Sequence, residues 1–194
     1  MNFLEQKILE SGVIKSDGTI KVDNFLNHQI DIDVMRYIAI ELKRRFGKKP
    51  VTKILTIEAS GIALATMLAT MYDAPVVYAK KGQIYNGVED KYVSHAFSAK
   101  QCHMNNVFVS KPYINEGDKV LVVDDFLAEG QACLALIDIA HQAGATITGV
   151  GVAIEKGYMD GGEKLRNAGF QVESIAIIES VDIEKQAITF KQST

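Results

Sequence analysis

The run Val120-Leu121-Val122-Val123 contains no polar residue and ends in two carboxylates, Asp124 and Asp125. A continuous apolar run of this length reads as a strand covered on both sheet faces. Adjacent carboxylates closing such a strand are costly unless something uses them. They could accept hydrogen bonds from vicinal hydroxyls, or coordinate a metal. Phe126 and Leu127 follow, and then Ala128, Glu129, Gly130, Gln131 and Ala132 lead into a helical pattern. The small side chains of Ala128, Gly130 and Ala132 let backbone N–H groups approach a ligand at a helix N-terminus, which suits a phosphate. The plain alternative is an ordinary strand–helix turn with a solvated Asp pair.

A strand–helix rhythm surrounds this segment. Over residues 31–46, Val34, Ile38, Leu42 and Phe46 fall at i+4 steps and predict a helix. Strands are predicted at 53–58, 76–79, 120–123, 147–154, 172–178 and 187–190. Helices are predicted at 61–71, at 131–143 closed by Gly144, and at 163–168 closed by Gly169. This alternation predicts an α/β fold with a mostly parallel sheet flanked by helices. The first 30 residues read as irregular or as short elements. Residues 80–110 break the rhythm: the segment is long, polar and carries Gly82 and Gly87, and 92–97 could pair with 107–109 as a hairpin. A connection of that length inside a compact domain is usually a functional lid, with a plain surface hairpin as the equal alternative.

Composition narrows the classes. The chain has 194 residues, 47% hydrophobic and 23% charged, enough to bury a core without metals or disulfides. The formal net charge of −3 disfavours a dedicated nucleic-acid binder. Only Cys102 and Cys133 are present, with no CxxC pair, which suits a reducing cytoplasm and argues against structural zinc. Glu5 and Glu10 stand where a signal peptide needs an apolar run, and no stretch is apolar for the length of a membrane span. The expectation is a soluble, unprocessed intracellular protein.

On the residues around the Asp pair, the chain resembles the type I phosphoribosyltransferases, whose phosphoribosyl-diphosphate signature residues 120–132 look like. Val22-Asp23-Asn24-Phe25-Leu26-Asn27-His28-Gln29, Asp124-Asp125-Phe126-Leu127-Ala128 and Ile154-Glu155-Lys156 are similar to the bacterial, xanthine-using branch of that family. The similarity runs over nearly the whole chain. It implies one domain over 1–194, with a core of about 33–156, a small hood from about 1–32 and 157–194, and a flexible flap over 82–106 that closes to exclude water. It implies transfer of a phosphoribosyl group from 5-phospho-α-D-ribose 1-diphosphate to xanthine in purine salvage, giving xanthosine 5'-monophosphate and diphosphate. Mg²⁺ accompanying the sugar diphosphate, a homodimer and a cytoplasmic location are implied with it, and no nucleic-acid or membrane partner.

The resemblance also implies residue roles. Ile20 packs on the purine, Asn27 hydrogen-bonds it, and Lys156 reaches an exocyclic oxygen. Asp124 and Asp125 hold the ribose hydroxyls, and Ala128, Glu129, Gly130, Gln131 and Ala132 bind the 5-phosphate. Glu58-Ala59-Ser60-Gly61 resembles the diphosphate loop, with the Ser60 and Gly61 amides facing the leaving group at a helix N-terminus. Lys80 and Lys81 clamp its developing charge. Read alone, a Lys-Lys pair is a solvated surface feature, and Lys156 is a lysine in a turn before Gly157. Yet Lys156 follows the apolar strand residues 150–154 at a sheet end where ligands bind, and an ammonium is only a donor. It therefore favours an oxo over an amino group and rejects adenine.

Several residues depart from the family pattern. Glu129 stands where small residues are usual, and Ala132 where a hydroxyl is. A carboxylate about 6 Å from a bound phosphate would cost about 3 kcal/mol at an effective dielectric of about 20, so Glu129 must point away, contact Mg²⁺ or mark a modified site. Ala128 stands where hypoxanthine–guanine enzymes place an Asp, leaving no assigned general acid or base and Glu129 as the candidate. Ile20 replaces an expected leucine, a volume-conserving change. Lys80 replaces an expected arginine and loses bidentate phosphate contact. His28, His95, His103 and His141 are too scattered for a metal site, and no P-loop or GxGxxG motif is present. Cys102 and Cys133 read as inert thiols. Two rivals stand beside the xanthine reading: a hypoxanthine/guanine phosphoribosyltransferase, and a non-catalytic sensor of the sugar diphosphate. The sensor needs a DNA-binding appendage, for which the first 30 residues are too short and insufficiently basic.

Overall fold

In the computed structural model, which describes residues 1–83, 90–98 and 103–191, the chain opens with α1 (Phe3–Ser11). Asn2 Oδ1 accepts from Glu5 N, and Glu5 Oε2 accepts from Asn2 N, a reciprocal cap that satisfies two donors at the helix start. This helix is longer than the short or irregular elements expected there. Strands β1 (Val13–Ile14) and β2 (Ile20–Lys21) pair antiparallel, and a π-helical turn over Asp23–Asn27 follows.

The helix α2 (Ile32–Phe46) starts one residue inside its predicted bound. Asp31 caps it, accepting from Asp33 N and Val34 N, and Val34, Ile38, Leu42 and Phe46 are all buried, as their i+4 spacing predicts. Then come β3 (Lys53–Ile57), α3 (Gly61–Tyr72) and β4 (Val76–Lys81). The hairpin of β5 (Lys91–Ser98) and β6 (His103–Ser110) pairs in register from Lys91↔Ser110 to Ser98↔His103, longer than the predicted one. The Gln142 side chain anchors its root, donating from Nε2 to Val93 O at 2.8 Å. Gly87 and Cys102, and the flap segments 84–89 and 99–102, lie outside the described residues. The chain continues through β7 (Lys119–Leu127), α4 (Gln131–Gln142), β8 (Thr146–Lys156), α5 (Gly161–Asn167), β9 (Val172–Asp182) and β10 (Ala187–Phe190).

The main sheet has the order β10-β9-β8-β7-β3-β4-β6-β5. The five strands from β9 to β4 run parallel, and the outer ones are antiparallel. The parallel sheet therefore extends past Lys156 to β9, so the C-terminal segment supplies core as well as periphery. Side-chain alternation sends Ile54, Leu121 and Val123 into one apolar cluster with α1, α2 and α3, and Leu55, Val120 and Val122 into another with α4. Each fully buried Leu or Ile contributes about 1.5–3 kcal/mol. Gly149 and Gly151 make room for α2: a Cβ on Gly149 would collide with the Phe46 ring, and one on Gly151 would sit 3.2 Å from Leu42 Cδ2.

The strand order reverses direction at β3 and β7. From β3 the chain crosses through α3 to β4 on one side; from β7 it crosses through α4 to β8 on the other. The crevice beyond the carboxyl ends of those two strands is where an open α/β sheet binds ligands.

Candidate functional site

Asp124 and Asp125 lie at that crevice, 4% and 7% exposed. Asp124 Oδ1 accepts from Asp125 N at 3.0 Å. Burial, and then the neighbouring Asp125 carboxylate, push the Asp124 carboxyl well above its ordinary value, while Lys81 pulls the other way. A ligand that brings hydroxyl donors or positive charge to this pair relieves a cost already built into the fold.

The loop from β3 meets the same pair. Ser60 Oγ donates to Asp125 Oδ1 at 2.9 Å. Gly61, the first residue of α3, is held at close quarters: a Cβ there would collide with Thr56 Oγ1 and stand 3.0 Å from Asp124 Oδ1. Thr56 is fully buried and its hydroxyl has no hydrogen-bond partner. The Glu58–Ala59 peptide is cis. Glu58 Oε1 accepts from Lys81 N at 2.9 Å, tying this loop to the end of β4.

Beyond the Asp pair, Gly130 adopts φ +80°, a left-handed conformation that glycine enters without penalty, and turns the chain into α4. The turn leaves the first amides of α4 unpaired at the helix start. Phe126, Leu127, Ala128, Glu129, Gly130, Gln131, Ala132 and Cys133 line a cavity of about 460 Å³, together with Lys156, Met159, Asp17, Thr19 and Phe97. That volume suits a small-molecule ligand. Leu127 pairs with Glu155 across β7 and β8, so the 128–132 loop and Lys156 emerge from neighbouring strands side by side. Cys133 is buried, and burial followed by the two aspartates pushes its thiol well up, so it is a packing residue and not a nucleophile.

A phosphoribosyl transferase domain is matched over residues 21–182. The chain belongs to the phosphoribosyltransferase family. It is 47% identical over 192 residues, 98% of this chain and 100% of the relative, to a xanthine phosphoribosyltransferase of Bifidobacterium animalis subsp. lactis. It is 49% identical over 181 residues, 93% of this chain and 95% of the relative, to a xanthine phosphoribosyltransferase of Clostridium novyi. Among solved structures, an adenine phosphoribosyltransferase of Rhodothermus marinus matches with a TM-score of 0.74 at 23% identity, over 90% of this chain and 97% of that one. The adenine phosphoribosyltransferase of Trypanosoma brucei matches with a TM-score of 0.73 at 19% identity, over 91% of this chain and 80% of that one. These two likenesses show the type I phosphoribosyltransferase fold.

In this phosphoribosyltransferase the residues singled out from sequence divide into those that converge and those that do not. Asp124, Asp125, Ser60 and Gly61 meet at the crevice, and Ala128 to Ala132 share one cavity with Lys156. The neighbouring lysines separate by strand alternation. Lys81 acts on Asp124, whereas Lys80 lines a cavity of about 640 Å³ with Val76, Tyr78, Phe108 and Tyr113. Ile20 is buried in the apolar core, and Asn27 is exposed at the end of the π-helical turn; neither lines the cavity beside Lys156. Asp17 and Thr19, which sequence reasoning did not single out, do line it, and Asp17 Oδ1 accepts from Thr19 N at 2.9 Å. The signal was available in the turn chemistry of Ser16-Asp17-Gly18-Thr19, with Gly18 at φ +77°.

Proposed function

We propose that this chain transfers the 5-phosphoribosyl group of phosphoribosyl diphosphate to xanthine, releasing diphosphate and xanthosine 5'-monophosphate, a purine-salvage reaction of the glycosyltransferase class. The observation that carries the reading is that the 128–132 loop and Lys156 line one and the same cavity. Full-length identity of 47–49% to xanthine phosphoribosyltransferases supports xanthine among the 6-oxopurines.

The carboxylates of Asp124 and Asp125 accept hydrogen bonds from the ribose 2- and 3-hydroxyls. The 128–132 amides hold the 5-phosphate at the start of α4. Ile20 and Asn27 belong to the base end on the strength of the resemblance, and Lys156 donates to an exocyclic oxygen. The bond from the anomeric carbon to diphosphate breaks as the bond to purine nitrogen forms, through a carbocation-like transition state. Ser60 and Gly61, with Lys81, stabilise the charge that develops on the departing diphosphate, and Lys80, which faces the other side of β4, keeps its place there only on the resemblance. The purine N–H proton must leave, and Glu129, which lines the cavity, is our candidate to take it.

Among the described residues no group of three or more His, Cys, Asp or Glu side chains could hold a metal ion. The Asp pair offers hard oxygen donors only, which fits a Mg²⁺ that arrives with the sugar diphosphate and is held chiefly by it. When bound, Mg²⁺ would neutralise charge on the diphosphate. No helix among the described residues is long and apolar enough to cross a membrane. A cytoplasmic homodimer completes the proposal, resting on the resemblance, with a hood drawn from about 1–32 and from those parts of 157–194 that lie outside the core strand β9; light scattering of the purified chain tests the dimer.

Xanthine, guanine, hypoxanthine and adenine, each supplied with phosphoribosyl diphosphate and Mg²⁺ in parallel ultraviolet assays, test the function. The proposal expects the highest kcat/KM with xanthine and none measurable with adenine. Preference for guanine or hypoxanthine would overturn the base assignment and keep the transferase chemistry.

A further inference from the structure

Gly161 and Gly162 open α5; the first meets the 128–130 loop and the second the Glu155–Arg166 pair. A Cβ on Gly161 would collide with Ala128 O and stand 2.5 Å from Gly130 N, and Gly161 N donates to Ala128 O at 3.1 Å. The first residue of α5 is thus the wall against which the 128–130 backbone rests. A Cβ on Gly162 would collide with Glu155 Oε1 and stand 2.7 Å from Arg166 Nη1. The missing side chain at Gly162 leaves the space that this ion pair occupies.

Arg166, in the last turn of α5, reaches back to Glu155. Its Nη1 donates to Oε1 at 2.8 Å and its Nη2 to Oε2 at 2.7 Å, a two-point fork. Glu155 is 4% exposed and also accepts from the Ser174 hydroxyl on β9. Burial alone would push the Glu155 carboxyl up, but the Arg166 guanidinium and the Ser174 hydroxyl outweigh it and hold it below its ordinary value. Glu155 does not line the cavity beside the 128–132 loop; it faces a separate one with Arg45, Glu163 and Arg166. It immediately precedes Lys156 in β8. One short helix is therefore fastened to the strand that carries Lys156 and braced on the loop that begins at Ala128.

We propose that Arg166 is a positioning residue: its fork on Glu155 seats α5 against the 128–130 backbone and so sets the spacing between that loop and Lys156. The inference rests on the reading that the loop takes the 5-phosphate and Lys156 the base. A nucleotide spans both ends, whereas inorganic diphosphate meets the Ser60–Gly61 loop, which α5 does not brace. Loss of the fork then weakens the spanning ligand selectively. Lysine cannot replace it, because one ammonium cannot make two fixed, parallel contacts.

The test is calorimetric binding of xanthosine 5'-monophosphate and of inorganic diphosphate with Mg²⁺, on the full chain. The variants are Arg166→Lys, Arg166→Gln and the double Glu155→Gln/Arg166→Gln. The double variant strands no buried charge, so it keeps the test available if Arg166→Gln alone does not fold. The expected result in each folded variant is at least a tenfold weaker affinity for the nucleotide and less than a twofold change for diphosphate. Nucleotide affinity unchanged in the folded variants overturns the positioning role, and so does an equal loss of both ligands, which marks a general structural defect. Wild-type protein that binds diphosphate but no purine nucleotide overturns the functional reading and this inference with it.

Discussion

Ser60 Oγ and Asp125 Oδ1 lie 2.9 Å apart although their residues are 65 positions apart in sequence. The contact joins the loop after β3 to the acidic pair inside β7, which runs on to Leu127 and does not stop at Val123 as the apolar run predicts, so the groups assigned to diphosphate and to ribose form one unit. Ser60→Ala removes a hydrogen bond to a charged acceptor, an interaction of about 1.5–3 kcal/mol. It is expected to raise KM for phosphoribosyl diphosphate about tenfold or more and leave KM for xanthine within about twofold. Steady-state kinetics with each substrate varied in turn checks this.

Asp124 carries a stability cost that function explains. Its folded carboxyl is raised by burial and by Asp125. Such a group stabilises the fold fully below its unfolded value of about 3.9, and that contribution is lost as pH rises through the higher folded value. Near neutral pH, Asp124→Asn is therefore expected to raise Tm of the unliganded chain, each 1 kcal/mol giving about 2–4 °C. The same change should weaken phosphoribosyl diphosphate binding. Calorimetric Tm beside a binding titration decides it; a lower Tm contradicts the electrostatic account.

Gly61 allows the close approach of α3 to Thr56 and Asp124. Gly61→Ala drives a methyl into Thr56 Oγ1, and overpacking of this kind costs about 1–3 kcal/mol. Adding Thr56→Ala removes the obstructing hydroxyl, which makes no hydrogen bond. Urea unfolding of the single and double variants is expected to show most of the loss recovered in the double.

Glu155 has the opposite sign to Asp124. Its folded carboxyl is held low, against burial, by Arg166 and Ser174. Its contribution is present above the unfolded value of about 4.3 and is lost as pH falls through the lower folded value. Between about pH 4.3 and more acid conditions, wild type should therefore lose stability more steeply than Glu155→Gln/Arg166→Gln. Tm measured against pH for the two proteins checks the slope.

The order of strands and helices was legible because its signals are local. The i+4 spacing of Val34, Ile38, Leu42 and Phe46 needs only neighbouring residues, and so does the apolar run ending at Asp124-Asp125. The helix α1 is an exception: its local signal, Asn2 and Glu5 at the spacing of a capping box, is only one turn long and is easily passed over in sequence. Other features rest on contacts that no local pattern announces. The Ser60–Asp125 bond is one, and the Glu155–Arg166 fork is another, for which the Gly161-Gly162 pair was the faint trace. The split of Lys80 from Lys81 follows from strand alternation, which becomes visible once β4 is seen to run to Lys81 and not to stop at Ala79.

Transfer of the phosphoribosyl group to xanthine needs the Asp pair, the 128–132 loop and Lys156 to act on one reaction. The most direct measurement is product stoichiometry in a reaction of xanthine, phosphoribosyl diphosphate and Mg²⁺, with nucleotide and diphosphate quantified together. Xanthosine 5'-monophosphate and diphosphate are expected in equal amounts, with phosphoribosyl diphosphate consumed to match. Tight binding of phosphoribosyl diphosphate with no nucleotide formed from any of the four purine bases would contradict it.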